Sequence, residues 1–141
     1  MNEYDNTILF KNNTYKYLNF SYMEDSCRIH ELSIYLLNNN TLKKLALEGY
    51  NICDNELIFI TAALISNKTL KKLYLSCRNL TDLSFIFLSK MLDINKIITY
   101  ILFDESEYID RNLMNEIIRK LENNRQFETR LVYLSIYLPN L

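Results

Sequence analysis

Few side chains in this sequence could carry out a reaction, and they lie far apart in the chain. His30 is the single histidine, and the three cysteines include no C-x-x-C pair. A zinc site usually needs three or four clustered histidine or cysteine ligands, and no such cluster occurs here. A serine triad would have to use His30, and no serine near it fits an exposed strand-to-helix elbow. We therefore expect neither a metal centre nor a hydrolytic triad.

Phosphate chemistry and carboxylate catalysis have equally little support. Gly49 is the sole glycine, which excludes a glycine-rich phosphate loop. The acidic pair Asp104 and Glu105 falls in a predicted turn with no sign of a cleft. We therefore expect a protein that is not an enzyme and that uses no cofactor.

The cysteines leave one chemical question open. Cys27 and Cys53 lie at or next to predicted helix starts, a position that can lower the pKa of a thiol. An odd number of widely spaced cysteines, with Cys77 as the third, is more typical of structural thiols in a reducing compartment. Whether any of the three is redox-active stays undecided by the sequence.

The N-terminal residues predict no secretory signal, because the chain opens with acidic residues and no long apolar run follows. The longest apolar run, around residues 57–65, is too short for a bilayer, which needs about 20 residues. The net charge of -1 argues against nucleic-acid or anionic-membrane binding. We expect a cytoplasmic protein, located in the host cytosol if it is a pathogen effector.

The elements that would position any functional side chain follow a repeat of 28 residues. The segment TLKKLAL at residues 41–47 returns as TLKKLYL at residues 69–75. The register continues before and after, and its buried slots are Tyr15/Leu18/Phe20, Leu42/Leu45/Leu47, Leu70/Leu73/Leu75 and Ile98/Ile101/Phe103. A fixed period of this length predicts a solenoid in which one strand-and-helix unit stacks on the next.

A helix is predicted after each strand. Candidate N-terminal caps recur every 28 residues, at Ser26, Asp54, Asp82 and Asp110. Each helix is expected to end near an asparagine, at Asn39, Asn67, Asn95 or Asn124. The predicted fold class is α/β, a right-handed β-α solenoid with a short curved parallel sheet and helices on the convex face.

The pattern L-x-x-L-x-L, followed by ICD at residues 52–54 or LTD at residues 80–82, resembles the ribonuclease-inhibitor-like class of leucine-rich repeats. The resemblance covers roughly residues 9–133 and implies four to five repeats with a helix on the outer face. The class usually has Asn or Cys three residues after the last strand leucine. Here those positions hold Tyr50, Arg78 and Ser106. We therefore expect no internal asparagine ladder.

The last full unit is also similar to the end of the repeat domain in tropomodulin-type actin cappers. The similar segments are LMNEI at residues 113–117 and LENN at residues 121–124. This second resemblance is short, and it implies actin capping as a narrower alternative function.

A single domain is predicted over residues 1–141, with repeats at about 15–41, 42–69, 70–97 and 98–126 and a partial repeat at 127–141. The partial repeat would use Leu131 and Tyr133, with its register slipped by one residue. Residues 130–138 are strand-like and would form an open sheet edge, which invites pairing with another chain. We expect a homodimer through this strand or a helix-side contact that hides it. A self-assembly protein is the corresponding alternative function.

Alternation along the strands predicts which side chains line the concave face. These residues are Tyr17, Lys44, Ala46, Glu48, Lys72, Tyr74, Ser76, Tyr100, Leu102 and Asp104. Single exposed apolar residues are common, but Tyr74, Tyr100 and Leu102 are adjacent and are typical of an interface anchor. The leading hypothesis is a non-catalytic module that binds a protein partner through this face, as an adaptor, an inhibitor or a host-directed effector.

Overall fold

The computed structural model describes residues 15–21, 27–48, 52–76, 79–103 and 109–137 of the chain. Its strands are β1 (Tyr17–Ser21), β2 (Lys44–Glu48), β3 (Lys72–Ser76) and β4 (Tyr100–Phe103). Its helices are α1 (Cys27–Asn38), α2 (Asp54–Ser66), α3 (Asp82–Ile94) and α4 (Arg111–Tyr137). Within these described residues, one β-α unit therefore occurs four times, as the 28-residue period predicts.

The strands form one parallel sheet in the order β1-β2-β3-β4. Equivalent residues of successive repeats are direct partners, so that Leu45 lies opposite Leu18 on one side and opposite Leu73 on the other. Each helix packs against the helix of the next repeat. The predicted β-α solenoid is confirmed.

The core consists of the repeated leucines of the strands and the inward-facing residues of the helices. Leu42, Leu45, Leu70 and Leu73 are completely buried. The helices contribute residues at equivalent positions, namely Leu36, Leu64, Leu92 and Leu121. Each leucine buried in this way contributes about 1.5–3 kcal/mol to folding. The period in the sequence is therefore the period of the core.

Buried asparagines connect the helix-to-strand turns of neighbouring repeats. Asn67 Oδ1 accepts the backbone N–H groups of Thr69 (3.0 Å) and Leu70 (2.8 Å) in its own turn. Its Nδ2 donates to the carbonyls of Leu36 (2.8 Å) and Asn39 (3.3 Å) in the preceding repeat. The positions after the strands where no ladder was expected lie outside the described residues, namely Tyr50, Arg78 and Ser106. The ladder seen here lies before the strands, a position that the prediction did not concern.

The ladder continues through Asn95 and ends at Asn124, which is 1% exposed. Asn124 Nδ2 donates to the carbonyls of Asn95 (3.0 Å) and Ile98 (2.7 Å). Its Oδ1 has no hydrogen-bond partner among the described residues. The predicted helix ends at Asn39, Asn67 and Asn95 are confirmed. The helix end predicted near Asn124 is wrong, because α4 continues through this residue. The continuous helix forms no turn whose backbone amides could donate to Asn124 Oδ1.

Two of the predicted helix caps are displaced by one residue. Cys53 and Thr81 occupy the cap positions of α2 and α3, and Asp54 and Asp82 are the first helical residues. The Asp54 carboxylate instead reaches the next repeat, where it accepts the backbone N–H of Thr81 (2.9 Å) and the hydroxyls of Thr81 and Ser84. Asp54 therefore links two helix starts.

The next repeat has a similar link. Asp82 accepts the backbone N–H of Asp110 (2.8 Å). Asp110 caps α4 as predicted, since its carboxylate accepts the N–H of Leu113 (2.9 Å). The remaining predicted cap, Ser26, lies outside the described residues. Neighbouring repeats are thus joined by side chains at both ends of the strands.

Helix α4 occupies the segment for which the sequence predicts a fifth strand. Its residues include no glycine or proline that would stop a helix. Its distal half is fixed to the sheet edge, because Arg125 Nη1 donates to the Thr99 carbonyl (3.0 Å) and Glu128 pairs with Lys71. These contacts and the continuous helical bonding outweigh the strand propensity of the segment.

The predictions of a partial repeat and of a terminal strand are therefore wrong for residues 127–137, which are helical. Phe127 and Leu131 are 48% and 51% exposed on α4, and Tyr133 is helical as well. The predicted homodimer through a terminal strand loses its structural basis. None of the helices within the described ranges is long and apolar enough to cross a membrane.

A buried lysine joins α3 to α4. Lys120 Nζ donates to Ser89 O (3.0 Å) and Oγ (2.8 Å), and it pairs with Asp93 (2.7 Å) and Glu116 (2.8 Å). Burial lowers the pKa of Lys120, and its bonds to the two carboxylates raise that pKa by more, so it lies above the ordinary value. Four oxygen partners thus compensate a charge whose isolated burial would be costly.

Replacing Asn67 with alanine tests the ladder. Because the change leaves buried backbone groups of two repeats without partners, we expect the free energy of unfolding to fall by about 2–4 kcal/mol. Urea denaturation followed by circular dichroism measures the change. The control is Asn115→Ala at an exposed position of α4, where we expect a change within about 0.5 kcal/mol. Equal losses in both variants would contradict a stabilising role for the ladder.

Replacing Asp54 with asparagine tests the link between helix starts and its pH dependence. Burial raises the pKa of Asp54, and hydrogen bonds from Ser84 and Thr81 lower it by more, so it lies below the ordinary value. A carboxylate whose pKa is lowered by folding stabilises the fold fully when the pH is above its unfolded-state pKa, about 3.9. This stabilisation is lost as the pH falls through its folded-state pKa. We expect Asp54→Asn to be less stable at neutral pH and to lose less stability in acid.

Urea midpoints measured from neutral pH down to about pH 2 give this comparison. The matched control is Glu31→Gln, which removes an exposed carboxylate on α1. We expect the control to follow the wild-type acid profile. If the urea midpoint of Asp54→Asn falls with pH in parallel with that of the wild type, Asp54 does not contribute to the acid dependence of stability.

Candidate functional site

The first predicted row crosses all four strands. The register places Tyr17 beside Lys44, Lys44 beside Lys72, and Lys72 beside Tyr100. Tyr17 is 51% exposed and Tyr100 is 38% exposed, and Lys44 is also exposed. Since the alternating leucines point into the core, this row lies on the sheet face opposite the helices.

The middle row adds two large apolar side chains to this face, Tyr74 and Leu102. The register places Ala46 beside Tyr74 and Tyr74 beside Leu102. Leu102 is 50% exposed and Tyr74 is partly exposed. Ala46 is 2% exposed, so the expectation that it contributes contact surface is wrong. A single methyl group between larger neighbours is shielded from solvent and offers a partner almost no area.

The third row is only partly visible. Glu48 and Ser76 are register partners at the ends of β2 and β3, which agrees with the predicted backbone arrangement. Asp104 lies outside the described residues. A contribution of these three side chains to binding stays a prediction.

Tyr74, Tyr100, Leu102 and Lys72 form the aromatic patch of the strand face. The Tyr74 and Tyr100 ring centroids are 5.8 Å apart, with the ring planes tilted by 54°. This distance is within the range that aromatic pairs favour. Lys72 Nζ lies 5.8 Å from the Tyr100 ring centroid, close enough for a cation-π contact. The patch therefore combines a fixed apolar surface with a positive edge.

The histidine and the cysteines are not part of this patch. His30 is on α1, where its ring contacts Phe59 of α2 with centroids 4.1 Å apart. Cys53 is a free, partly exposed thiol at the start of α2. Cys27 begins α1, and Cys77 lies outside the described residues. Across the described ranges, no group of three or more His, Cys, Asp or Glu side chains is arranged to hold a metal ion.

A second surface feature was not predicted. A groove of about 330 Å³ lies between α4 and the turn that precedes β4. It is lined by Lys96, Asn123, Asn124, Gln126, Phe127 and Arg130. The signal in the sequence is helical spacing, since 123, 126, 127 and 130 share one helix face. A strand prediction over Phe127 and Arg130 separates these residues onto opposite faces and hides the groove.

Comparisons with known proteins establish the fold through structure and not through sequence. No protein-family profile matches the chain, and no curated protein sequence matches it. The chain is similar to a solved structure described as leiomodin-1 actin-binding site 2, with a TM-score of 0.65 and 17% identity. That match covers 94% of this chain and 96% of the leiomodin-1 chain.

A second similar structure is the tropomodulin C-terminal domain of Caenorhabditis elegans. The TM-score is 0.58 and the identity is 14%, over 93% of this chain and 99% of that domain. At such low identity, the likeness concerns the fold alone. Together with the parallel sheet and the alternating helices, it establishes a leucine-rich-repeat fold of the kind that the sequence resembles.

Proposed function

We propose that this chain is a non-catalytic module that binds a protein partner through its concave strand face. The observation that supports this most strongly is the aromatic patch, in which Tyr74, Tyr100 and Leu102 adjoin on β3 and β4. Exposed tyrosines provide large contact area at a low cost in side-chain entropy, and such residues are common interface anchors. The patch is therefore the expected centre of the contact.

The surroundings of the patch favour an oriented complex. Lys44 and Lys72 form one flank and would attract acidic groups, which affects association rate and orientation more than affinity. The strands are fixed by the core on their other face. Little rearrangement is needed for binding, so little of the contact energy is offset by ordering.

Actin is the specific partner that we propose to test first. The leiomodin-1 domain, which shares the fold, is described as an actin-binding site. Residues 113–117 and 121–124 also resemble the end of the repeat domain in tropomodulin-type actin cappers. The broader forms of the proposal are an adaptor, an inhibitor or a host-directed effector that acts in the cytoplasm.

The actin form is tested by filament sedimentation and by filament-growth assays with the purified chain. Capping slows growth at one filament end, and side binding brings the chain down with filaments. A wild-type chain that does neither excludes actin. The general proposal is then tested on partners that are captured from the native host cell with the wild-type chain.

Replacing both Tyr74 and Tyr100 with alanine tests the strand face itself. Because hot-spot aromatic residues contribute about 2 kcal/mol or more each, we expect the partner's Kd to rise at least about tenfold. The free energy of unfolding should change by only about 1 kcal/mol, since both rings are on the surface. Titration calorimetry and urea denaturation measure the two quantities.

Phe59→Ala is the matched control, because Phe59 is an exposed aromatic residue (42%) on the helical side. This variant should bind the partner as the wild type does. Unchanged binding by the double tyrosine variant, or equal loss in the Phe59 control, would contradict binding through the strand face.

A further inference from the structure

The distal half of α4 forms one wall of the groove described above. Asn123, Gln126, Phe127 and Arg130 lie at positions i, i+3, i+4 and i+7, so they share one face of the helix. The facing wall is the turn between α3 and β4, represented by Lys96. The volume, about 330 Å³, is enough for one or two side chains of a partner.

The groove is held open by contacts on the neighbouring faces of α4. Arg125 Nη1 donates to the Thr99 carbonyl (3.0 Å), and Glu128 pairs with Lys71 one repeat earlier. Asn124 beneath them donates to two backbone carbonyls of the adjacent turn. A wall that is fixed before binding does not have to be ordered by the partner.

The lining of the groove combines one aromatic ring with two cations. Phe127 is 48% exposed, which is a large unshielded area for a phenylalanine. Lys96 and Arg130 are exposed, and neither forms an ion pair with a carboxylate among the described residues. Lys96 Nζ donates one hydrogen bond to the Leu92 carbonyl (3.0 Å), and its other two N–H groups can serve a partner. Asn123 and Gln126 add exposed amides, which can donate to and accept from a peptide backbone.

The positive charge of this edge is local. Lys68 lies in the turn before β3, at the position equivalent to Lys96 in the turn before β4. Helix α4 runs toward this earlier turn, because it contacts Thr99 first and then Lys71. The whole chain has a net charge of -1. Lys68 and Lys96 therefore lie along the edge where the strands begin, and Lys96 and Arg130 line the groove beside Phe127.

We propose that this groove binds an acidic segment of a partner protein that carries one large apolar side chain. The apolar side chain packs on Phe127, and the flanking carboxylates pair with Lys96 and Arg130. Asn123 and Gln126 hydrogen-bond the peptide backbone. This surface is separate from the aromatic patch of the strand face, so the two can be tested independently.

An NMR titration of the full chain tests this binding mode. The probe is a short peptide of glutamates and aspartates around a single phenylalanine. We expect chemical-shift changes at Lys96, Phe127 and Arg130, with none at Tyr74 and Tyr100. A peptide with alanine in place of phenylalanine should bind at least about tenfold more weakly, because it lacks the apolar contact.

Charge-reversal variants give the matched comparison. Lys96→Glu combined with Arg130→Glu should weaken binding of the phenylalanine peptide at least about tenfold, because both charge-assisted bonds become repulsions. Lys90→Glu combined with Arg119→Glu makes the same change in net charge at exposed positions outside the groove. This control should bind as the wild type does.

Several outcomes would overturn the inference. They are no binding of the acidic peptide, equal binding of the alanine peptide, equal losses in the two charge-reversal variants, or tighter binding of a single-stranded RNA oligonucleotide at the same residues. Shifts confined to Tyr74 and Tyr100 would also refute the groove while supporting the strand face.

Discussion

The asparagine side chains between helix and strand carry the interaction on which the other features depend. A turn that enters a buried strand leaves amides and carbonyls without water, and each such group must find a partner. Asn67 satisfies amides of its own turn and carbonyls of the preceding turn with one planar group. Its geometry therefore fixes the spacing between repeats, and the in-register leucine layers follow from that spacing.

The same constraint places the functional surfaces. Once the turns are aligned, the strands pair residue for residue, and side chains 28 positions apart become neighbours. Tyr74 and Tyr100 are in contact because they lie on neighbouring strands, and Tyr100 is two residues before Leu102, the register partner of Tyr74. The aspartate links at the other end of the strands, through Asp54 and Asp82, keep the helix starts in the same alignment.

Much of the fold was predictable, because the period encodes both the core and the strand register. Leu45, Leu73 and the outward-facing row with Tyr17 and Tyr100 follow from alternation alone. The ladder was missed because the expected position lay after the strand, although its asparagines were recognised as helix ends. Ala46 shows a different limit, since strand alternation gives direction and not exposure.

The C-terminal segment could not be predicted from local pattern. Its β-branched and aromatic residues favour a strand, whereas the contacts of Arg125 and Glu128 that stabilise the helix join residues far apart in sequence. The groove was missed for the same reason, since its walls come from two distant segments. Its binding chemistry depends on which side of α4 remains exposed, and only tertiary contacts decide that.

Asn124 has a consequence for how the sheet could be extended beyond β4. A buried amide oxygen that is left unpaired costs about 1–3 kcal/mol, and the uninterrupted helix leaves this one unpaired. To append another coil in register, the chain would have to unwind more than two helical turns and break the ties at Thr99 and Lys71. The helix thus acts as a local stop at the β4 side of the sheet.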